Sequence, residues 1–217
     1  IVKISWTDCP KAKVNEWMVE NTLQLNQEKT EFIVFAGSRV LPALTNIVLS
    51  LGNVSVYPSS SVKNLGVILD ASLTMSKHIN SLCRTVNFHL RNLWRIRRFI
   101  TREACHNVVR GLVLSRLDYA NSLLLGAREV DLKRLQRLQN KAARLVFSCG
   151  RDQPSAGLLR ELHWLPVKQR IHYKVLLYIY KCLHSDAPRY LIDLVTTHRS
   201  QHSLDCQRRL RSFSDHT

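Results

Sequence analysis

The 217-residue sequence lacks the features of a membrane-spanning or secreted protein. No apolar run approaches the roughly 20 residues that a transmembrane helix needs, and no signal-peptide pattern is present at its start. The six cysteines are scattered without a C-x-x-C pair, so neither a zinc ribbon nor a disulfide framework is predicted. We therefore expect a soluble intracellular protein with reduced thiols, in the nucleus or the cytoplasm.

Patterns of several common active sites are missing as well. The sequence contains no Ser-His-Asp arrangement, phosphate loop or dinucleotide fingerprint. His172, His184, His198 and His202 show no metal-ligand spacing with cysteines. The sequence therefore predicts no metal site and no catalytic site of these kinds.

Acidic residues are scarce behind position 75. Residues 1–75 carry six Lys or Arg and six Asp or Glu, whereas residues 76–217 carry twenty-six and ten, so the whole net charge of +16 falls in the second part. Such a charge attracts polyanions, of which nucleic acid is the commonest. An anionic membrane surface is the competing partner, and the few aromatics on the apolar helix faces argue against it.

Hydrophobic periodicity also changes near residue 75, and it predicts an α+β protein. Residues 10–22 favour a helix with Val14, Trp17 and Met18 on one face, because these positions follow helical spacing. After it, β-rich runs between turn residues predict a small, mostly antiparallel piece. The expected strands are residues 32–36, 46–51, 54–57 and 62–69.

Helices are predicted for most of the remainder. A first helix begins near Ser76, a second follows Thr101 as its cap, and a third covers about residues 129–147 with Gly150 ending it. Pro166 suits the start of a fourth, and a short last helix opens at residue 188. The expected inward positions are Ile79, Leu82, Cys83, Val86, Leu90, Leu93, Val108, Val109, Leu112, Val113, Leu135, Leu138, Ala142, Leu145, Val146, Ile171, Val175 and Ile179.

Cations recur at helical spacing on the faces opposite these stripes, and five cations without an anion occur between Lys133 and Arg144. A charged helix face is usually only a solvated one, but the lack of interleaved acids favours phosphate binding. The candidate phosphate-binding residues are Arg84, Arg91, Arg95, Arg98, Arg102, Lys133, Arg134, Arg137, Lys141 and Arg144.

Five segments, in this order, carry a resemblance to LINE-type (non-LTR retrotransposon) reverse transcriptases of the jockey/CR1-like kind. They are W-M-V-E-N-T-L-Q-L-N-Q-E-K-T-E at 17–31, N-L-G-V-I-L-D at 64–70, L-D-Y-A-N at 117–121, L-Q-R-L-Q-N-K-A-A-R at 135–144 and L-H-W-L-P at 162–166. The resemblance covers roughly residues 5 to 195. It implies the rear of a polymerase palm at 1–75, a helical thumb at 76–150 and a helical extension at 151–197, followed by a basic tail at 198–217 that we expect to be disordered.

The family's Y-x-D-D motif is not found before Trp17, where Asp8 is the single aspartate, and no two aspartates adjoin anywhere. Two-metal nucleotidyl transfer needs paired carboxylates, so Mg²⁺ is expected only in an intact parent polymerase. Because the sequence starts at Ile1 and not at a methionine, we expect the back part of a longer polymerase or the product of a truncated element.

The resemblance gives two further residues a role in an intact polymerase. Lys29 matches the lysine that neutralises or protonates the leaving pyrophosphate. Without the catalytic aspartates, this sequence favours the other interpretation, a solvent-exposed lysine just before the strand predicted at 32–35. Gly66 matches the tight point of a primer-gripping hairpin, or it marks only a β-bulge.

Trp94 lies among arginines and suits stacking on a base, but a half-buried position beside the core stripe is favoured. His163 and Trp164 are interpreted as a packed corner. The expected partners are RNA, DNA or a hybrid, together with the missing palm and fingers of the parent protein; the oligomeric state stays open. The alternative function is a helical protein-interaction module or a non-functional remnant.

Overall fold

The chain forms two compact units, Ile1–Leu73 and Thr74–Thr217, in a computed structural model. The structure describes residues 17–23, 26, 29–37, 39–41, 47–51 and 54–195. The strands lie in the first unit and the long helices in the second. The predicted α+β fold is therefore confirmed.

Two antiparallel hairpins make up the regular strands of the first unit. Strand β1 (Leu49–Leu51) pairs with β2 (Val54–Val56), and β3 (Ser61–Asn64) pairs with β4 (Val67–Asp70). The single run predicted at 62–69 is thus two strands with a turn between them, as the resemblance implied.

Gly66 occupies the turn of the β3–β4 hairpin. Asn64 pairs directly with Val67, which leaves Leu65 and Gly66 as a two-residue loop with φ angles of 46° and 84°. Positive φ at both loop positions is the pattern of a type I′ turn, and glycine adopts it without a steric penalty. The pairing continues without an extra residue, so the β-bulge alternative is wrong.

The strand predicted at 32–36 is wrong as well. Within this run Phe32 forms only an isolated parallel bridge with Pro58, through the Ser59 amide that donates to the Phe32 carbonyl at 2.7 Å. The Ala36 amide donates instead to the Ala71 carbonyl at 3.2 Å, so the two ends of this run bond to different segments and no regular ladder forms.

Three predictions fall partly or wholly outside the described residues. The helix expected at 10–22 is seen at residues 17–20, and the chain turns at Thr22 with φ 56°. Pro10, Val14 and Asn46 lie outside the described residues, as does the tail beyond His198.

The second unit is helical over its described length. Thr101 caps the second helix as predicted, because its hydroxyl oxygen accepts from the Ala104 amide at 3.2 Å. The helices are α1 (Ser76–Ile96), α2 (Arg102–Val109), α3 (Ser115–Asp118), α4 (Glu129–Phe147), α5 (Ser155–Glu161) and α6 (Val167–Leu183), with a π-turn at Arg110–Leu114, 3₁₀ turns at Arg97–Phe99 and Asn121–Leu124, and a last helical stretch at residues 189–195.

Helix α4 is central, since it contacts α1, α2, α5 and α6. All the inward positions predicted for α1 and α4 are buried. In the other helices, Val108 and Ile179 were predicted to face inward, and both predictions are wrong because these residues are 38% and 40% exposed. In α2 the core face is formed by Cys105 and Val109, and α6 buries only a narrow face, with Ile171 among its buried residues.

Helix α4 ends at Phe147 as predicted, but the residue that caps it differs from the prediction. Ser148 adopts the left-handed conformation with φ 55°, and its amide donates to the Leu145 carbonyl at 3.2 Å. Ser148 therefore caps the helix, and Gly150 follows the cap instead of forming it.

Candidate nucleic-acid interface

A buried carboxylate joins the N-terminal ends of α1 and α4. Asp131, 1% exposed, accepts hydrogen bonds from Arg128 at 2.8 Å, Arg134 at 3.2 Å and the Ser76 hydroxyl at 3.4 Å. Arg134 also donates to the Asn80 side chain at 2.7 Å. Burial raises the pKa of Asp131, but the two arginines outweigh it and hold that pKa below its ordinary value.

Arg97 joins the C-terminal ends of the same helices. Its guanidinium donates to the carbonyls of Leu145 and Val146, both at 2.8 Å, and to the Ile100 carbonyl at 2.9 Å. Leu145 and Val146 lie in the last turn of α4, where the carbonyls lack the i+4 amide donors of a continuing helix. Since their N-terminal ends also meet each other, α1 and α4 lie side by side in the same direction.

A groove runs between the C-terminal halves of α1 and α4. Its volume is about 740 Å³, and the loop after α4 closes one side. We call it the basic groove; it is lined by Asn87, Leu90, Arg91, Trp94, Arg137, Asn140, Lys141, Arg144, Leu145, Cys149, Gly150 and Arg151.

Five of the twelve lining residues are cations and none is acidic. Arg144 donates twice to the Gln153 carbonyl, at 3.2 Å each. Within the described part of the chain, the side chains of four lining cations make no hydrogen bond or ion pair: Arg91, Arg137, Lys141 and Arg151. The groove therefore concentrates positive charge that other side chains do not neutralise, which is the arrangement an anionic ligand requires.

The groove brings together four of the ten predicted phosphate-binding residues, Arg91, Arg137, Lys141 and Arg144. The predicted cations from Arg84 to Arg102 do not form one continuous row, because α1 ends at Ile96 and Arg102 begins α2. Arg102 pairs with Glu161 at 2.5 Å. The predicted residues that do not line the groove are Arg84, Arg95, Arg98, Arg102, Lys133 and Arg134.

Trp94 is 57% exposed, so the predicted half-buried position is wrong. Leu90 and Leu93 take the buried positions in this part of α1, and each helical residue turns about 100° from the one before it. Trp94 is thereby turned out of the core and into the lining of the basic groove.

Sequence reasoning missed three polar lining residues: Arg151, Asn87 and Asn140. Arg151 follows α4 in a loop, where helical periodicity gives no signal. Asn140 lies between two predicted cations of α4, and its side-chain oxygen accepts from Gln136 at 2.8 Å. The position of Asn140 one helical turn before Arg144 was the sequence signal that could have identified it as a lining residue.

Trp164 belongs to a packed corner, as predicted. It is 6% exposed, and its ring stacks on His106 of α2 with 5.8 Å between ring centroids. Next to it, Gln139 donates to the Leu165 carbonyl at 2.8 Å. His163 is exposed and adopts φ 53° at the turn after α5. The packed position predicted for His163 is therefore wrong, and neither His163 nor Trp164 lines the groove.

Lys29 is exposed, and its backbone amide donates to the Asn26 side chain at 3.1 Å. No group of three or more His, Cys, Asp or Glu in the described residues is placed to hold a metal ion. In the same part of the chain, no helix is both long enough and apolar enough to cross a lipid bilayer.

Comparison with known proteins found a distant relative. A probable RNA-directed DNA polymerase from the X-element transposon of Drosophila melanogaster is 25% identical over 163 residues, which are 74% of this chain and 18% of that protein. The chain resembles part of a retrotransposon reverse transcriptase. No family model and no solved structure matches the chain.

Two of the segments that carry the reverse-transcriptase resemblance meet behind the basic groove. The segment at 135–144 forms one wall of the groove with Arg137, Lys141 and Arg144. Its two glutamines bind the segment at 162–166 and the start of α6: Gln139 through the Leu165 carbonyl, and Gln136 through the Val167 amide at 2.8 Å.

Proposed function

We propose that the basic groove binds the sugar-phosphate backbone of nucleic acid, as the thumb of a LINE-type, jockey/CR1-like RNA-directed DNA polymerase. The observation that carries this proposal is the presence of five cations and no carboxylate among the residues that line the groove. The similarity to a transposon polymerase supports the same function from sequence.

The chemistry of these side chains suits phosphate more than bases. Arginine binds phosphate oxygens through two parallel N–H donors, and lysine acts as a point charge. Contacts of this kind hold nucleic acid in position without reading its sequence. A thumb performs that task, because a polymerase must grip every template-primer equally.

Polymerisation itself is proposed for a longer parent protein. No two aspartates adjoin in this sequence, and no described cluster fits a Mg²⁺ ion, so we assign no catalytic step to this chain. In such a parent, Lys29 would act on the leaving pyrophosphate, and the Gly66 turn would contact the primer strand. The matched segment is 18% of the X-element protein, which leaves the rest of the palm and the fingers to other segments of a protein of that kind.

The proposal is tested by removing two groove cations, with Arg137→Gln and Lys141→Gln combined in the 217-residue chain. The duplex affinity should fall, and the slope of log affinity against log salt should become shallower by roughly 1.8, because each lost phosphate contact removes about 0.9. Fluorescence anisotropy with a labelled duplex measures both quantities.

The matched control combines Arg160→Gln and Lys181→Gln, which remove the same charge from exposed positions outside the groove. The control should keep the parent slope to within about half a unit, since only cations in contact with phosphate release counterions. Equal losses in the two double variants would contradict the assignment, because they would show a diffuse charge effect.

A further inference from the structure

Trp94 has a surface that the rest of the molecule does not use. The side chain is 57% exposed, and in the described part of the chain no ring or cation stacks on it. Trp164 shows the opposite arrangement, since it is 6% exposed and stacks on His106. The two tryptophans of the second unit therefore have different roles, and that of Trp94 is not core packing.

The neighbours of Trp94 are the groove cations. Arg91 lies one turn before it on α1, and Arg137, Lys141 and Arg144 form the facing wall on α4. An aromatic ring beside several cations provides the two elements that bind single-stranded nucleic acid, a stacking surface for a base and charges for the phosphates. Asn140 adds a side-chain amide whose oxygen is already bonded to Gln136.

Stacking on Trp94 requires a base whose face is free. In a duplex each base is stacked on its neighbours, and the protein reaches mainly phosphates and groove edges. The groove volume of about 740 Å³ lies in the usual range for small-molecule pockets, roughly 300–1,000 Å³. A groove of that size suits a few nucleotides of one strand.

We infer that the basic groove takes an unpaired nucleic-acid segment, with a base stacked on Trp94 and the flanking phosphates bound by Arg91, Arg137 and Lys141. This inference rests on the proposed function and narrows its ligand. The unpaired segment is either a free single strand or an overhang next to a duplex. Sequence preference is weak, because every base has a face that stacks.

The test compares Trp94→Leu and Trp94→Phe in the 217-residue chain. The probes are a labelled 12-nucleotide single strand of mixed sequence, a 30-base-pair blunt duplex, and the same duplex with a six-nucleotide overhang. Trp94→Leu should weaken binding of the single strand and of the overhang by roughly 5- to 150-fold, the usual worth of one base–aromatic stack. Blunt-duplex affinity should change less than about twofold, and Trp94→Phe should retain most of the single-strand affinity.

Indole fluorescence gives a second readout. The chain has four tryptophans, so the difference between the parent and Trp94→Phe isolates the signal of Trp94. Adding the single strand should quench this signal, whereas the blunt duplex should leave it nearly unchanged. Circular dichroism of both variants checks that the helices remain.

The outcomes separate this inference from the proposed function. If Trp94→Leu binds the single strand as the parent does, or loses single-strand and duplex affinity equally, stacking on Trp94 is overturned while phosphate binding stands. If neither probe binds the parent chain in a salt-sensitive way, the proposed function fails and the inference fails with it.

Discussion

Asp131 helps to hold α1 beside α4, the two helices that form the walls of the basic groove. It lies at the N-terminal end of α4, is 1% exposed, and is held by Arg128 and Arg134. A buried carboxylate costs free energy unless it is paired and hydrogen-bonded, and here both conditions are met. Arg134 is thereby committed to the fold, which explains why this predicted phosphate ligand does not line the groove.

Acid should weaken the fold through Asp131. Its pKa in the folded chain is below the ordinary value, so between the two pKa values the unfolded chain binds the extra proton. The stabilisation by ionised Asp131 is fully present above the pKa of the unfolded chain, about 3.9. It is lost as the pH falls from that pKa towards the lowered pKa of the folded chain. Asp131→Asn should reduce the free energy of unfolding near pH 7 by about 1–3 kcal/mol and flatten its fall below pH 4.

Urea unfolding at a series of pH values measures this, with Asp152→Asn at an exposed site as the control. The control should follow the parent curve. If Asp131→Asn had the same acid dependence as the parent, Asp131 would not be the source of that dependence.

At the scale of elements, two glutamines connect α4 to the segment that precedes α6. Gln139 is fully buried, donates to the Leu165 carbonyl at 2.8 Å, and accepts from Gln136 at 3.0 Å. Gln136 in turn accepts from the Val167 amide at 2.8 Å, which supplies a partner for an otherwise open amide in the first turn of α6. The wall of the groove is therefore supported from behind by hydrogen bonds as well as by apolar packing.

Gln139→Met should lower the free energy of unfolding by about 1–3 kcal/mol. The volume is nearly kept, but the Leu165 carbonyl loses a buried donor. Chemical denaturation measures the difference, and Gln169→Met, at an exposed position of α6, is the matched control, expected within about 0.5 kcal/mol of the parent. A Gln139→Met chain as stable as the parent would mean that apolar packing alone holds the corner.

The long helices could be predicted from sequence, whereas the short strands could be predicted only in part: the runs at 46–51, 54–57 and 62–69 contain strands, and the run at 32–36 does not. Helices α1 and α4 have several apolar residues at helical spacing, so their buried faces follow from the pattern. The strand expected at 32–36 depended on a partner segment, and the two ends of this run bond to different segments, at Ser59 and at Ala71. Strand pairing is set by residues distant in sequence, which periodicity does not contain.

Only part of the candidate site could be predicted from sequence, and the reason is similar. Helical spacing identified which cations are exposed, including Arg91 and Arg137, but not which of them share a groove. That choice depends on how α1 lies against α4, and hence on Arg97 and Asp131. The exposure of Trp94 depends on its rotation relative to Leu93, a difference of one residue that a stripe pattern does not resolve.

At the scale of the whole molecule, charge and fold divide the chain near the same place. The sequence boundary of the two compact units lies between Leu73 and Thr74, and the whole net charge of +16 falls behind position 75. The second unit also exposes an apolar stripe along one face of α6, which is the feature that favours the alternative of protein docking. The stripe consists of Tyr173, Leu176, Tyr180 and Leu183.

The salt dependence of nucleic-acid affinity tests the central claim most directly, since ionic strength weakens phosphate contacts and not apolar docking. Anisotropy titrations of the 217-residue chain with a labelled single strand and a duplex should give log–log slopes of roughly −3 to −4.5, as expected for four or five phosphate contacts. A slope near zero, or no binding at low salt, would contradict phosphate binding by the basic groove. Salt-insensitive binding would instead favour hydrophobic docking.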